Sequence, residues 1–162
     1  MDIYLIRHSE AVELGTDGIT SDFDRPLTDA GRTHSQRLAT ALPARGARIE
    51  RIFVSPLVRT RQTAEPMIAA WGLKDEQIVS CEELAPGGGN KELAAELTSR
   101  AARAIALVGH RPDLNEFAAW VIGSKRAQIA FAKGAVALIR VEGHEVEKGS
   151  GELLWLLPPD WV

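Results

Sequence analysis

A three-layer α/β sandwich with a mostly parallel central sheet is predicted by three apolar runs that stop abruptly at polar residues, with helical patterns between them. Ile3-Tyr4-Leu5-Ile6 ends at Arg7-His8, Ile52-Phe53-Val54 at Ser55-Pro56, and Ile105-Ala106-Leu107-Val108 at Gly109-His110-Arg111-Pro112. Short β-branched and aromatic runs alternating with helices fold as parallel strands buried between two helix layers. Open sheets of this kind bind ligands at the carboxyl ends of their strands, so the polar residues placed there are the first candidates for a site.

The elements follow in chain order. After the first strand, residues 9–26 hold Gly15, Asp17, Gly18, Ser21, Asp22 and Pro26 without a period, which reads as a long surface loop. Thr28 caps a helix whose Leu38, Ala41 and Leu42 recur at helical spacing up to Pro43, and His34 on it is expected to be a surface or core-edge residue. The second strand leads to a helix with Ser55 as N-cap and Pro56 in its first position, and Pro66 should kink or restart it near Glu65. Ile78–Ser80 is a short third strand. Gly87-Gly88-Gly89 lacks the flanks of a phosphate-binding loop and reads as a connection, capped by Asn90, into a helix over Glu92–Ala102. The fourth strand, Ile105–Val108, precedes a helix that opens at Pro112 and runs through Ile122. Ala135–Val141 and Leu153–Leu157 close the chain as strands, paired as a hairpin across residues 143–151, with His144 solvated in its turn. Trp155 and Trp161 are expected to pack.

Three strand ends thus offer Arg7, His8, Arg59 and His110, a set suited to phosphoryl transfer. Arg59 lies one turn inside its helix, where a side chain tilted back toward the N-terminus reaches the open amides that already favour an anion. Two guanidiniums can hold phosphoryl oxygens in bidentate fashion. A neutral imidazole can attack phosphorus, and a second can donate to the developing charge. None of this chemistry calls for a metal.

These residues resemble the histidine phosphatase superfamily, with its Arg-His-Gly-type motif, a second Arg after a Ser-Pro helix start, and a late Gly-His or Ser-His. Within it the chain is most similar to the SixA-type phosphohistidine phosphatases. Arg25-Pro26-Leu27-Thr28-Asp29-Ala30-Gly31, Ser55 to Thr63, Glu83-Leu84-Ala85-Pro86 and Val108-Gly109-His110-Arg111-Pro112 match in order and approximate spacing, over nearly the whole chain. The resemblance implies a phosphoglycerate mutase-like fold, His8 as the phosphoryl acceptor, and Arg7, Arg59 and His110 binding the phosphoryl group. It also places Glu83 at the pocket, as a general acid or as a structural residue. Ser9 departs from the family, in which many members have Gly or Ala. Serine is small enough to keep the backbone close to the imidazole, and its hydroxyl can add a hydrogen bond.

Composition narrows the alternatives. At 162 residues and 45% hydrophobic, the chain is expected to form one domain over 1–162. There is no internal repeat or Gly/Ser/Pro linker to divide it. A net charge of -3 argues against nucleic acid as a partner. No stretch approaches the roughly 20 apolar residues of a membrane span, and residues 1–7 read as a strand rather than a signal, so a cytoplasmic protein without membrane contact is expected. The lone Cys81 fits a reducing compartment. It also lacks the Cys-x5-Arg phosphatase loop, because position 87 is Gly. Asp22-Phe23-Asp24 follows a polar loop instead of an apolar strand, unlike the Asp-x-Asp of aspartyl-phosphate enzymes.

A metal-dependent hydrolase built on His8, His110, Asp22 and Asp24 lacks ligand spacing, and Arg7 would repel a cation. The expectation is therefore a metal-independent, cofactor-free phosphatase that works through a phosphohistidine on His8 and takes a phosphohistidine-bearing protein as substrate, with phosphate or an oxyanion filling the pocket. Two alternatives stand beside it. A small-molecule phosphate-ester phosphatase or mutase is one, although superfamily mutases carry covering insertions for which this chain leaves little room. A noncatalytic phosphoprotein-binding domain is the other, and it would not need the nucleophile.

Overall fold

The computed structural model describes residues 1–100 and 102–161. Its strands are β1 (Asp2–Arg7), β2 (Arg51–Val54), β3 (Ile78–Ser80), β4 (Ala104–Gly109), β5 (Val136–Val141) and β6 (Gly151–Leu157). Its α-helices are α1 (Asp29–Ala44), α2 (Val58–Trp71), α3 (Asn90–Ser99) and α4 (Asp113–Val121). The strands form one sheet in the order β3-β2-β4-β1-β5-β6. The first four in that order run parallel, and β5 pairs antiparallel with both β1 and β6. The three-layer, mostly parallel architecture expected from sequence is present. No helix among the described residues is long and apolar enough to cross a membrane.

Alternation along the central strands builds two cores. Ile3 and Leu5 of β1 face the same side as Ile105 and Leu107 of β4, and pack with Leu93 and Leu97 of α3 and Leu114 and Phe117 of α4. Their neighbours Tyr4, Ile6, Ala106 and Val108 face the other side, against Leu38 and Leu42 of α1 and Ala64 and Met67 of α2. A strand buried on both faces reads as a continuous apolar run, which is why β1 and β4 stand out in the sequence.

Sheet order brings the candidates together. β4 lies between β1 and β2, with Val108 opposite both Ile6 and Val54. The residues that follow these strands, Ser55, His110 and His8, therefore lie in a row along one rim. Main-chain bonds fasten that rim: Ser55 N–H donates to the Val108 carbonyl at 3.0 Å and His8 N–H to the Gly109 carbonyl at 3.0 Å.

Several local expectations are corrected. Ser55 does not cap α2. The helix starts at Val58, with Leu57 as its N-cap, because the Ser55 hydroxyl is engaged by His110 and its carbonyl by Thr60 Oγ1. Arg59 is accordingly the second residue of α2 rather than one turn inside. Pro112 occupies the N-cap of α4 instead of its first helical position, and Gly89, not Asn90, is the N-cap of α3. α2 continues through Pro66 without restarting, since the buried Ala64 and Met67 on either side anchor it to the core. α3 ends at Ser99, and Ala101 of the expected Glu92–Ala102 helix lies outside the described residues. Trp155 packs edge-on against Tyr4, whereas Trp161 is exposed. Thr28 caps α1 as expected, accepting from Gly31 N–H at 3.0 Å.

Candidate functional site

His8 sits one residue beyond β1, buried to 6% exposure. Its Nδ1 lies 2.7 Å from the Ser9 carbonyl oxygen. A carbonyl can only accept, so Nδ1 carries the proton and the lone pair resides on Nε2. The adjoining backbone is held from several sides. Ser9 N–H donates to Thr63 Oγ1 of α2 at 3.1 Å, and Gly134 N–H donates to the His8 carbonyl at 3.1 Å. The Ser9 hydroxyl pairs with Ser35 of α1 at 3.0 Å, the additional hydrogen bond expected of a serine at this position. His34 proves to be a core-edge residue, its Nε2 donating to the Gly134 carbonyl at 3.1 Å.

His110 follows β4, with its ring centroid 5.1 Å from that of His8. Its Nε2 lies 2.9 Å from the Ser55 hydroxyl, and its Nδ1 is buried without a hydrogen-bond partner. Burial pushes His110 down to about 3, assisted by the positive charge of Arg59 and Arg7 and opposed by Asp22. Burial likewise takes His8 down to about 4. The Ser9 carbonyl works against that shift, while Arg59, Arg7 and Lys133 add to it. Both imidazoles are thus neutral at pH 7, as a nucleophile and a neutral donor require.

The two arginines are held by different segments. Arg7 donates through Nη1 to the Phe131 carbonyl at 2.7 Å, and Arg59 donates through Nη1 and Nη2 to the Asp22 carbonyl and carboxylate at 2.6 and 2.9 Å. Asp22 is also gripped by Arg25 at 2.7 Å. Partial burial would raise its carboxyl, but these hydrogen bonds and charges outweigh burial and hold it below the usual range. The Nε of Arg7 and of Arg59 are buried without partners. Three buried nitrogens of these residues, Arg7 Nε, Arg59 Nε and His110 Nδ1, are therefore without hydrogen-bond partners among the described residues. Guanidinium N–H groups so placed are suited to an oxyanion.

The histidine phosphatase superfamily (branch 1) model matches residues 3–113. The chain belongs to this superfamily. An uncharacterized protein of Picosynechococcus sp. (strain PCC 7002) is 33% identical over 100% of this chain and 99% of its own. Phosphohistidine phosphatase SixA of Escherichia coli (strain K12) is 27% identical over 98% of this chain and 94% of its own. Among solved structures, that of the protein histidine phosphatase SixA complexed with tungstate superposes with a TM-score of 0.85 at 26% identity, covering 99% of this chain and 98% of that one.

In this superfamily member Glu83 makes no hydrogen bond or ion pair with the other four candidates among the described residues. Glu83 lies on a 3-10 turn, Glu82–Leu84, after β3, where its Oε2 accepts from the Cys81 thiol at 3.3 Å. Burial, then this carboxylate, pushes that thiol up to about 12. Sequence reasoning missed two residues at the site. Asp22 was weighed only as a metal ligand or phosphoryl acceptor, and Ser55 only as a helix cap. Beside the site, a cavity of about 660 Å³ runs along α4, lined by Arg111, Trp120, Lys125 and Lys148 among others. His8 and His110 are not part of its lining.

Proposed function

We propose that this chain is a metal-independent phosphatase that passes a phosphoryl group through His8 Nε2, with protein phosphohistidine as its substrate. The observation that carries the reading is the trio of unpartnered buried nitrogens on Arg7, Arg59 and His110, three residues whose charge or ring lies near a histidine with its Nδ1 proton committed to the Ser9 carbonyl. In the first step the Nε2 lone pair attacks phosphorus, the P–N bond to the substrate imidazole breaks, and the protonated leaving ring departs neutral. Arg7 and Arg59 hold the equatorial oxygens, and His110 donates to the charge that develops on them. Phosphorylated His8 is cationic at its ring, a charge that the Ser9 carbonyl steadies. Water then attacks the same phosphorus, the Nε2–P bond breaks, and neutral His8 returns with release of phosphate.

A protein substrate is favoured by the site's surroundings and by similarity. The site adjoins a cavity with Arg111, Lys125 and Lys148 on its wall, large enough for a polypeptide segment. The Escherichia coli protein to which the chain is similar along nearly its full length is a phosphohistidine phosphatase. Glu83 is given no part in the transfer, because its carboxylate is engaged by Cys81 and a protonated imidazole leaves without a general acid.

The test is rapid quenching in base, which preserves phosphoramidates, after mixing the protein with a phosphohistidine-bearing protein. Label is expected on His8, with turnover unaffected by EDTA and abolished in His8→Ala. Label on another residue, near-normal turnover by His8→Ala, or rescue of EDTA-treated protein by Zn²⁺ or Mg²⁺ would overturn the mechanism. Faster turnover of phosphate esters than of phosphohistidine would reassign the substrate class alone.

A further inference from the structure

We propose that Ser55 is a positioning residue that fixes His110 as its Nδ1–H tautomer, so that this histidine presents a hydrogen-bond donor to the phosphoryl group while uncharged. The inference rests on the phosphatase reading for its consequence, though not for its geometry.

Ser55 is 0% exposed, and both of its main-chain polar groups are already used. Its N–H goes to Val108, and its carbonyl accepts from Thr60 Oγ1 at 2.8 Å. With the backbone held on both sides, the hydroxyl has one partner among the described residues, His110 Nε2 at 2.9 Å. Two proton arrangements fit that distance. If Nε2 carried the proton, it would donate to Oγ. The buried hydroxyl hydrogen would then have no acceptor, and the Nδ1 lone pair would be sealed in without a donor. If Nδ1 carries the proton, the hydroxyl donates to Nε2 and only one group, the Nδ1–H, is left unpartnered.

That remaining donor, like the Nε–H groups of Arg7 and Arg59, has no partner in the protein, and in the proposed site the phosphoryl group is the acceptor for it. The opposite tautomer would turn a lone pair toward the phosphoryl oxygens. The hydroxyl thus decides whether His110 attracts or repels the charge that forms during transfer. The low proton affinity of His110 makes this choice matter, because a buried ring held neutral has one N–H to place. The same commitment accounts for the late start of α2, whose N-terminus goes without the side-chain cap that Ser55 could have supplied.

The test is long-range ¹H–¹⁵N correlation spectroscopy of ¹⁵N-histidine-labelled protein at neutral pH, which distinguishes protonated from unprotonated ring nitrogens. His110 is expected to show a protonated Nδ1 and an unprotonated Nε2. In Ser55→Ala the two tautomers should mix, and kcat toward a phosphohistidine protein should fall by on the order of 10-fold or more with little change in KM, as when an oxyanion donor is partly lost. Ser55→Thr, which keeps the hydroxyl, should restore both. A protonated Nε2 in the wild-type protein overturns the proposal even if no variant folds. So does a Ser55→Ala protein with unaltered tautomer and kcat. The expected wild-type tautomer in a protein without phosphatase turnover would instead overturn the phosphatase reading and leave the tautomer assignment standing.

Discussion

Glu83 is the residue for which motif and geometry part company. The motif sets it beside the phosphate pocket, but the fold turns its carboxylate toward the Cys81 thiol. A general acid that protonated an ester oxygen would be worth about 10²–10⁴-fold. Glutamine keeps an oxygen that can accept from Cys81, so Glu83→Gln should leave hydrolysis of both phosphohistidine and alkyl phosphate esters within severalfold of wild type. A selective loss on esters of about 100-fold or more would make Glu83 the acid. Arg7, His8 and His110 were legible because each lies at or just past the end of an apolar run, where the chain leaves the sheet, and Arg59 because a Ser-Pro segment announced the helix that carries it. Asp22 and Ser55 were not. Their partners Arg59 and His110 lie 37 and 55 residues away, and no local pattern marks an aspartate in a long loop as the clamp on a distant arginine.

At the scale of elements, strands and helices followed from periodicity, whereas caps and boundaries yielded to tertiary demands. Thr28 behaves as local rules require because its hydroxyl accepts from Gly31 N–H while donating to Glu10, so the two bonds are compatible; Ser55 does not, because a buried imidazole competes for its hydroxyl and engages it. The same competition makes Gly31 an informative position. It lies in the first turn of α1, where alanine would raise helix propensity by about 1 kcal/mol. A Cβ there would stand 2.1 Å from the carbonyl oxygen of Glu10. That oxygen is backbone, and it also accepts from Thr28 N–H at 3.0 Å, so it cannot swing aside as a side chain would. Overpacking of this kind costs about 1–3 kcal/mol, and a contact this short belongs at the upper end, so the clash outweighs the propensity gain. Gly31→Ala should lower the urea midpoint by an amount equivalent to about 1–2 kcal/mol. Because the displaced segment leads directly into Ser9 and His8, kcat should fall as well. Unchanged or increased stability would show that α1 can shift away from Glu10.

For the whole molecule, the site sets how stability responds to acid. His8 and His110 remain neutral in the folded protein down to about 4 and about 3, because burial and then Arg59 oppose protonation, while a histidine in the unfolded chain takes up its proton near pH 6.5. Between those limits the unfolded state binds more protons, so stability rises with pH. The contribution is complete above about pH 6.5. It is lost as pH falls toward about 4 for His8 and further, toward about 3, for His110. The depressed carboxyl of Asp22 acts in the same sense at the acidic end, since its ion pairs with Arg25 and Arg59 weaken as it protonates. Each histidine changes the unfolding free energy by up to about 1.4 kcal/mol per pH unit within its window. Urea titrations at pH 7.5, 6.0 and 5.0 should therefore show little change above pH 6.5 and a steep loss below it. Replacing His110 with alanine should make the acid limb shallower by about one proton, whatever it does to stability at pH 7.5. Inorganic phosphate should flatten the limb in the wild-type protein, because an anion between the two rings favours their protonated forms and binds only the folded chain. An acid limb with the same slope in wild type and His110→Ala would mean that this histidine protonates in the folded state as readily as in the unfolded one. The positive charge packed around it would then have to be offset by an anion already held at the site.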